Sequence, residues 1–438
     1  MKPSVLNNLL GAAILVAPLP ALAATTPILS PAPSLALAPG ADVEVTAAVD
    51  SFYAQRRGAA IWLSQGSASP STAALLQILR RAPLDGFPAG PQLADDIRDA
   101  LTSARTPAAL SFVDRVMSVA WLRYVAALHV AVPGLAYNDP RLEPRAPAAA
   151  YVLEQVARAA SLPDHLAKVS AVNPLYAQLR DVAWSQAQAS GVALPDARVL
   201  ANLDRLRAFP ATGRFVFVNA ATQQLSMVEN GQIVDMMKVV VGRPDAQTPM
   251  VASTIWYATF NPYWNIPSDL GRKLIAPHVV KEGTSWLKKS GYEVIADWDT
   301  PLVLPASSVN WKGVLAGTSE VKLRELPGGA NSMGEVKFSF NNPQGIYLHD
   351  TNNRALFAQA QRTASNGCVR LEDAKRFGRW LAGGDLVAPS SNPELTVRLP
   401  QGTPVFITYI TAHAEDGRVA FSDDVYNRDI KIDRLASR

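Results

Sequence analysis

At Arg214 the apolar residues stop recurring every third and fourth position and begin to alternate, so a helical part should be followed by a strand-built part. Upstream, the repeat predicts amphipathic helices over 45–56, 71–81, 91–103, 108–129, 147–160, 174–189 and 196–209. Three of these open on Pro91, Pro147 and Pro174, a residue suited to a first helical turn. Downstream, Phe215 and Phe217 alternate with Val216 and Val218, and Asn230-Gly231 is the favoured two-residue hairpin turn between 224–228 and 233–241. Further strands are expected at 254–261, 336–340, 345–349, 403–411 and 418–426. Hairpins without intervening helices exclude a parallel α/β sheet, and the class is α+β. Residues 268–311 break the strand pattern with helical and irregular texture, and an insertion of that length suits a lid over a cleft.

The N-terminus reads as an export signal over residues 1–23, with Lys2, an apolar stretch from Leu9 to Leu19, and Ala21-Leu22-Ala23 as cleavage site. Residues 24–42 are rich in Ala and Pro and predict a tether. A helical domain over 43–209, a strand-rich domain over 210–430 and a tail over 431–438 complete the division. No later stretch reaches the roughly 18 apolar residues of a membrane anchor, so a protein released into an envelope compartment is expected. Hydrophobic residues make up 48% and charged residues 18%, which excludes a disordered chain. A net charge of +4, with basic and acidic residues interspersed, gives no basis for nucleic-acid binding.

Cys368 is the only cysteine, nineteen residues after His349 and within Ser365-Asn366-Gly367-Cys368-Val369-Arg370. An unpaired thiol in an exported chain is either a small buried hydrophobe or a nucleophile. The second reading needs an imidazole within hydrogen-bond reach to hold the thiolate, and Tyr347 and His349 would share one face of a strand. Ser365-Asn366-Gly367 is turn chemistry, and a helix expected from Leu371 would place Cys368 near its positive end. Backbone N–H groups of Gly367 and Cys368 could form an oxyanion hole. Tyr347 would line the cleft, and Ser365 would orient the imidazole or cap the turn. Arg370 would bind a substrate carboxylate or pair with Asp350 or Glu372. Tyr263, Trp264 and Trp286 would form an aromatic wall or simply pack. His129, His165 and His278 stand alone, no ligand spacing points to a metal, and no cofactor is implied.

His349 with Ser365-Asn366-Gly367-Cys368-Val369-Arg370 resembles the signature of the YkuD-type L,D-transpeptidases, and the closer likeness is to the YcbB-like branch. The same branch is echoed by Val241-Gly242-Arg243-Pro244 with Gln247-Thr248-Pro249, by residues 260–267, by 328–334 leading into Lys337-Phe338, and by 346–351. The resemblance covers about residues 210–430, and more loosely the helical part, as a scaffold domain. Asn366 stands where the common motif has histidine, and Arg370 where it has Asn; the YcbB branch varies at both positions. No stretch corresponds to the small peptidoglycan-binding module often inserted in that branch.

The resemblance implies a cysteine enzyme that joins peptidoglycan stems through a thioester on Cys368, with His349 moving the proton. Tetrapeptide stems would be donor and acceptor, giving 3-3 links by default and 1-3 links as the variant. Carbapenem would be a covalent inhibitor, a peptidoglycan synthase a partner that feeds nascent glycan, and the periplasm of a Gram-negative bacterium the location. The rival readings are an L,D-carboxypeptidase or peptidoglycan hydrolase of the same fold, a non-catalytic wall-binding protein, and a sortase-like transferase, which would want a far longer His-to-Cys separation.

Overall fold

The computed structural model describes residues 41–192 and 196–429. The expected export signal, nearly all of the tether and the tail lie outside them. Eight α-helices form the N-terminal part: Ala41–Gln55, Pro70–Arg81, Gly90–Ser103, Pro107–Leu128, Ala149–Arg158, Leu162–Ala171, Pro174–Ser190 and Ala197–Arg207. The first starts inside the stretch expected to be tether. Helix starts are chemically marked. Ser69 and Thr72 form a capping box around Pro70, Thr106 caps ahead of Pro107, and the Asn173 side-chain oxygen accepts the Tyr176 N–H. Pro147 instead lies ahead of its helix. The helices close around Tyr53, Trp62, Leu75 and Trp121, all without solvent exposure. Inside this core Asp114 accepts the backbone N–H groups of Ile61, Trp62 and Leu63 and the Tyr53 hydroxyl, which satisfies an otherwise costly buried carboxylate.

From Arg214 on, eight strands close on themselves. In order around the ring they are Val336–Phe340, Leu348–His349, Val369–Leu371, Gln232–Gly242, Gln224–Glu229, Arg214–Asn219, Leu395–Thr408 and Val251–Phe260, the last pairing back onto the first. Neighbours are antiparallel except at two junctions, Leu348–His349 beside Val369–Leu371 and Arg214–Asn219 beside Leu395–Thr408. The alternation that marked residues 215–218 separates two cores rather than core from solvent. Val216 and Val218 point into the barrel with Leu225, Val239, Phe338, Leu348 and Val369. Phe215 and Phe217 point outward and pack with Phe209, Phe406, Tyr176 and Leu203 between barrel and helices. Burial on both faces makes this strand a shared wall of two cores. A strand from the helical part, Ala136–Tyr137, joins the same sheet in parallel to Val251–Ala252, tying the two parts by backbone as well as by packing.

The insertion expected to be helical and irregular has helices Ala276–Glu282 and Ser285–Lys289, and strands that were not expected. It contains a four-stranded antiparallel sheet of Val303–Leu304, Tyr292–Ile295, Lys322–Glu325 and Trp264–Ile266, with a core of Ile266, Val279, Leu287, Val294, Trp311 and Leu323. It thus extends to Glu325. Among the described residues no helix is long and apolar enough to cross a membrane.

Candidate active site

Leu348 and His349 register with Val369 and Arg370 across the parallel pair, and Tyr347 O accepts the Val369 N–H at 2.9 Å. Ile346, Leu348 and Val369 lie in the barrel core. Because side chains alternate, Tyr347, His349, Cys368 and Arg370 leave the opposite face together. The regular strand is shorter than expected, two residues rather than five, because Gly345 at φ +63° closes a turn that also uses the Asn342 side chain against Ile346 N–H and Ile346 O.

The segment carrying the thiol is fixed by side chains. The Ser365 hydroxyl donates to Cys368 O at 2.6 Å and accepts the Gly367 N–H at 3.1 Å. The turn-capping role therefore holds for Ser365, and Gly367 N–H is already engaged. Among the described residues Cys368 N–H meets no acceptor, which leaves it as the free member of the two N–H groups expected to form an oxyanion hole. Gly367 has φ +120°, a conformation open to glycine and strained for side chains. Thr248, fully buried, accepts the Gly242 N–H and donates to Gly367 O at 2.8 Å, and Tyr426 donates to Gly242 O. Arg243 donates to Asn366 Oδ1 at 2.6 Å, so Asn366 faces a cation of its own chain. Arg243 and Thr248 belong to a quoted motif but carried no expected role. Only the fold brings their segment beside residue 367.

His349 is 4% exposed, and its Nδ1 lies 2.5 Å from Asp350 O. The Met333 carbonyl also faces the ring. Asp350 in turn accepts the Glu335 N–H and an Arg354 guanidinium N–H. A Cβ at Gly334, which has φ +63°, would overlap the Asp350 carboxylate. Among the described residues no hydrogen bond joins the sulfur to the imidazole; Sγ instead lies 3.8 Å from Gly345 O. The direct thiol–imidazole bond expected from the sequence is not made here. The helix dipole expected at Cys368 is also displaced. Strand Val369–Leu371 follows the cysteine, and the helix starts at Ala374, capped by Asp373.

The electrostatics follow from these placements. Burial, aided by the Arg370 guanidinium and Lys337, pushes the His349 imidazole down to about 3, against the two carbonyls. Burial pushes the Cys368 thiol up, and the Tyr347 backbone N–H and Arg370 only partly offset it. Near neutral pH the two groups are a thiol and a neutral imidazole, not a thiolate–imidazolium pair. Burial raises Tyr347 as well, with further effect from Cys368.

Arg370 is half-buried, and among the described residues it makes no ion pair. Its Nε is buried without an acceptor. Asp350 is bound to Arg354, and Glu372 accepts the Lys238 N–H. The two structural pairings open to Arg370 are thereby taken. Tyr347 is half-buried, with Lys337 Nζ 5.6 Å from its ring centre. Tyr263 lies under the Arg324 guanidinium at 3.9 Å, and its N–H donates to Glu394. Trp264 packs against the insertion core. Trp286 stacks on His278 and Tyr292. These contacts pack the aromatics in and beside the insertion. Among the described residues no group of three or more His, Cys, Asp or Glu could hold a metal.

Two family models match this chain. The model described as the L,D-transpeptidase catalytic domain, YkuD, matches residues 213–407, and that described as the Scaffold domain matches 47–182. A Haemophilus influenzae protein named "Putative L,D-transpeptidase" is 27% identical over 238 residues, 53% of this chain and 48% of that protein. The chain thus spans about half the length of the curated relative it matches. Among solved structures, L,D-transpeptidase 3 from Mycobacterium tuberculosis with a faropenem-derived adduct is 13% identical, covering 45% of this chain and 61% of that one at a TM-score of 0.23. An L,D-transpeptidase from Xylanimonas cellulosilytica is 16% identical, covering 53% and 79% at a TM-score of 0.21. Those superpositions are weak and carry no argument, and the domain assignments come from the sequence models. With the scaffold match ahead of the catalytic match, the chain combines a Scaffold domain with a YkuD L,D-transpeptidase catalytic domain, the architecture of the YcbB-like branch.

Proposed function

We propose that this protein is a periplasmic peptidoglycan L,D-transpeptidase with Cys368 as nucleophile and His349 as proton carrier. Residues 1–23 would direct export in a Gram-negative bacterium, 24–42 would tether, and 43–209 and 210–430 would be the scaffold and catalytic domains. The observation that carries the reading is the shared outward face of Tyr347, His349, Cys368 and Arg370, inside the segment matched by the catalytic-domain model. Sulfur attacks the carbonyl of meso-diaminopimelate at the third position of a donor tetrapeptide. The C–N bond to the terminal D-Ala breaks, and D-Ala leaves with a proton. The thioester is then opened by the amine of an acceptor stem.

The imidazole is neutral near pH 7 and so has a lone pair to accept a proton, although the burial that lowers it to about 3 also weakens it as a base. The thiol must lose its proton as it attacks, and the neutral imidazole on the same strand face would take it. The free Cys368 N–H, with Tyr347 N–H facing the same sulfur, would stabilise the oxyanion. The unpaired Arg370 would hold a stem carboxylate, a charge-assisted contact worth about 1.5–3 kcal/mol. The insertion would limit water, favouring amine over hydrolysis. The 3-3 link is the default product and the 1-3 link the variant.

Purified protein and its Cys368→Ala variant, incubated with disaccharide-tetrapeptides and resolved by mass, test this reading. Cross-linked dimers from the parent alone support it. Shortened monomers would instead indicate the L,D-carboxypeptidase, and unchanged substrate a wall-binding protein. Carbapenem should add covalently to Cys368, seen on the intact protein by mass.

A further inference from the structure

Three successive peptide units carry the sulfur, and each is tied by a hydrogen bond. The Gly367 N–H donates to the Ser365 hydroxyl at 3.1 Å, Gly367 O accepts from Thr248 at 2.8 Å, and Cys368 O accepts from Ser365 at 2.6 Å. Only the middle tie comes from outside the turn. The Gly367 carbonyl and the Cys368 N–H belong to one peptide unit, and in a planar trans unit they point in opposite directions. Thr248 on the carbonyl therefore aims the N–H on the other side, the one that meets no acceptor among the described residues. Glycine at 367, with φ +120°, puts little steric restraint on rotation of that unit, so its direction depends on the bond.

Thr248 is itself held through each of its polar groups, from the C-terminal segment. Its N–H donates to the Tyr426 hydroxyl at 3.4 Å and its carbonyl accepts from Arg428 at 2.9 Å. Its hydroxyl takes the Gly242 N–H, and Gly242 O accepts from Tyr426 at 2.7 Å. The Gln247 side chain donates to Tyr426 O and accepts from Arg428. A Cβ at Gly242 would overlap Ala246 O, so the 242–248 loop closes on itself with no room for a side chain there. Tyr426 and Arg428 are fixed from behind. The Tyr409 hydroxyl takes the Tyr426 N–H at 2.8 Å, the two rings stack at 5.3 Å, and the Arg428 guanidinium lies 4.9 and 5.0 Å from their centres. Arg205 of helix Ala197–Arg207 then binds Tyr409 O and Asp429. Tyr409, Tyr426 and Arg428 all lie beyond the 213–407 segment matched by the catalytic-domain model.

We propose that Thr248 is a positioning residue that aims the Cys368 N–H at the oxyanion, and that Tyr426 and Arg428 hold Thr248 in place. The role rests on the acyl transfer proposed above, in which an oxyanion forms beside Cys368. The direction of the N–H is measurable without that reaction. The C-terminal segment then serves the chemistry as well as the barrel.

Two reactions at the same sulfur separate aim from nucleophilicity. In carbapenem acylation sulfur adds to the β-lactam carbonyl, an oxyanion forms, and the C–N bond breaks with the proton passing to nitrogen. In iodoacetamide alkylation sulfur displaces iodide from carbon, its proton goes to solvent, and no oxyanion arises. The ratio of the two rates at one pH therefore cancels any change in thiolate fraction. Removal of an oxyanion donor costs about 100-fold or more, so Thr248→Val should lower the ratio about 100-fold. Tyr426→Phe loses only the hydroxyl behind Thr248 and should lower it at least about threefold, while Thr248→Ser keeps the hydroxyl and should stay within about threefold of the parent. Tyr426→Phe carries the test if Thr248→Val fails to fold. Because Cys368 is the only cysteine, cysteine labelled with nitrogen-15 gives a single amide signal, which should move in Tyr426→Phe whether or not carbapenem reacts. A ratio equal to the parent's in Tyr426→Phe would overturn the proposal, as would an unmoved amide signal. Absence of a carbapenem adduct in the parent would count against the transpeptidase reading alone, because the amide signal still decides the aim.

Discussion

Alkylation of Cys368 by iodoacetamide reads directly the protonation state that its surroundings impose. Thiolate, not thiol, is the nucleophile, and a free cysteine titrates near pH 8.5. Burial raises Cys368, so at pH 7 fewer than about 3 in 100 molecules should carry thiolate. The rate constant should therefore climb about tenfold from pH 6 to 7 and about tenfold again to pH 8. A thiolate–imidazolium pair would instead give a plateau from about pH 5. Since Cys368 is the only cysteine, intact mass counts the adduct at one site. Arg370→Met removes the cation that favours thiolate, and should slow alkylation at pH 8 severalfold without a new plateau. A rate independent of pH between 5 and 8 would refute the neutral-pair assignment and the burial argument behind it.

The buried imidazole also makes stability depend on pH. The folded value lies below the unfolded one, so the stabilisation is complete above about pH 6.5 and is lost as pH falls toward about 3. The loss is about 2 kcal/mol by pH 5, and the unfolding free energies of the parent and His349→Gln from denaturant titration should converge on acidification by that amount. Thr248→Val leaves Gly367 O and Gly242 N–H unpaired, and urea titration should show a loss of roughly 2–4 kcal/mol together with loss of carbapenem labelling. Gly334→Ala combines a positive φ with overlap against Asp350. It should cost roughly 1–3 kcal/mol by the same titration and reduce turnover further by shifting the loop that faces His349.

What could be read in advance depended on how many residues carry each pattern. The helices Pro70–Arg81 and Pro107–Leu128 announced themselves through repeated apolar positions, and Pro174–Ser190 also through its opening proline. Leu162–Ala171 did not, because only Leu166 and Ser170 are buried, too few to display a stripe. The insertion strands are two to four residues long, shorter than an alternation needs to be visible. Strand Leu395–Thr408 was foreseen only from Thr403 because Pro400 and a register shift between Arg398 and Thr403 interrupt it. At the site, Cys368 and His349 stood out by residue type and Gly367 by its turn. The partners of the turn come from residues 242–248, brought alongside only when the barrel closes, and no local pattern encodes that.

The environment of His349 and the insertion are parts of one continuous piece of chain. The insertion ends on strand Lys322–Glu325. Seven residues later the buried Glu325 carboxylate takes the Ser332 N–H, and the Asn331 side chain donates to Pro262 O and Leu326 O. These bonds fix the loop whose Met333 carbonyl faces the imidazole and whose Gly334 abuts Asp350. The carbonyl opposes the burial effect on the imidazole, so a displacement of this loop would depress the ring further while uncovering it to water, two changes of opposite sign. An imidazole set by such opposed neighbours is sensitive to the position of the insertion even though, among the described residues, no insertion side chain bonds to it. On the proposed reaction, closing the insertion over an acceptor stem would then adjust the proton carrier and exclude water in the same movement.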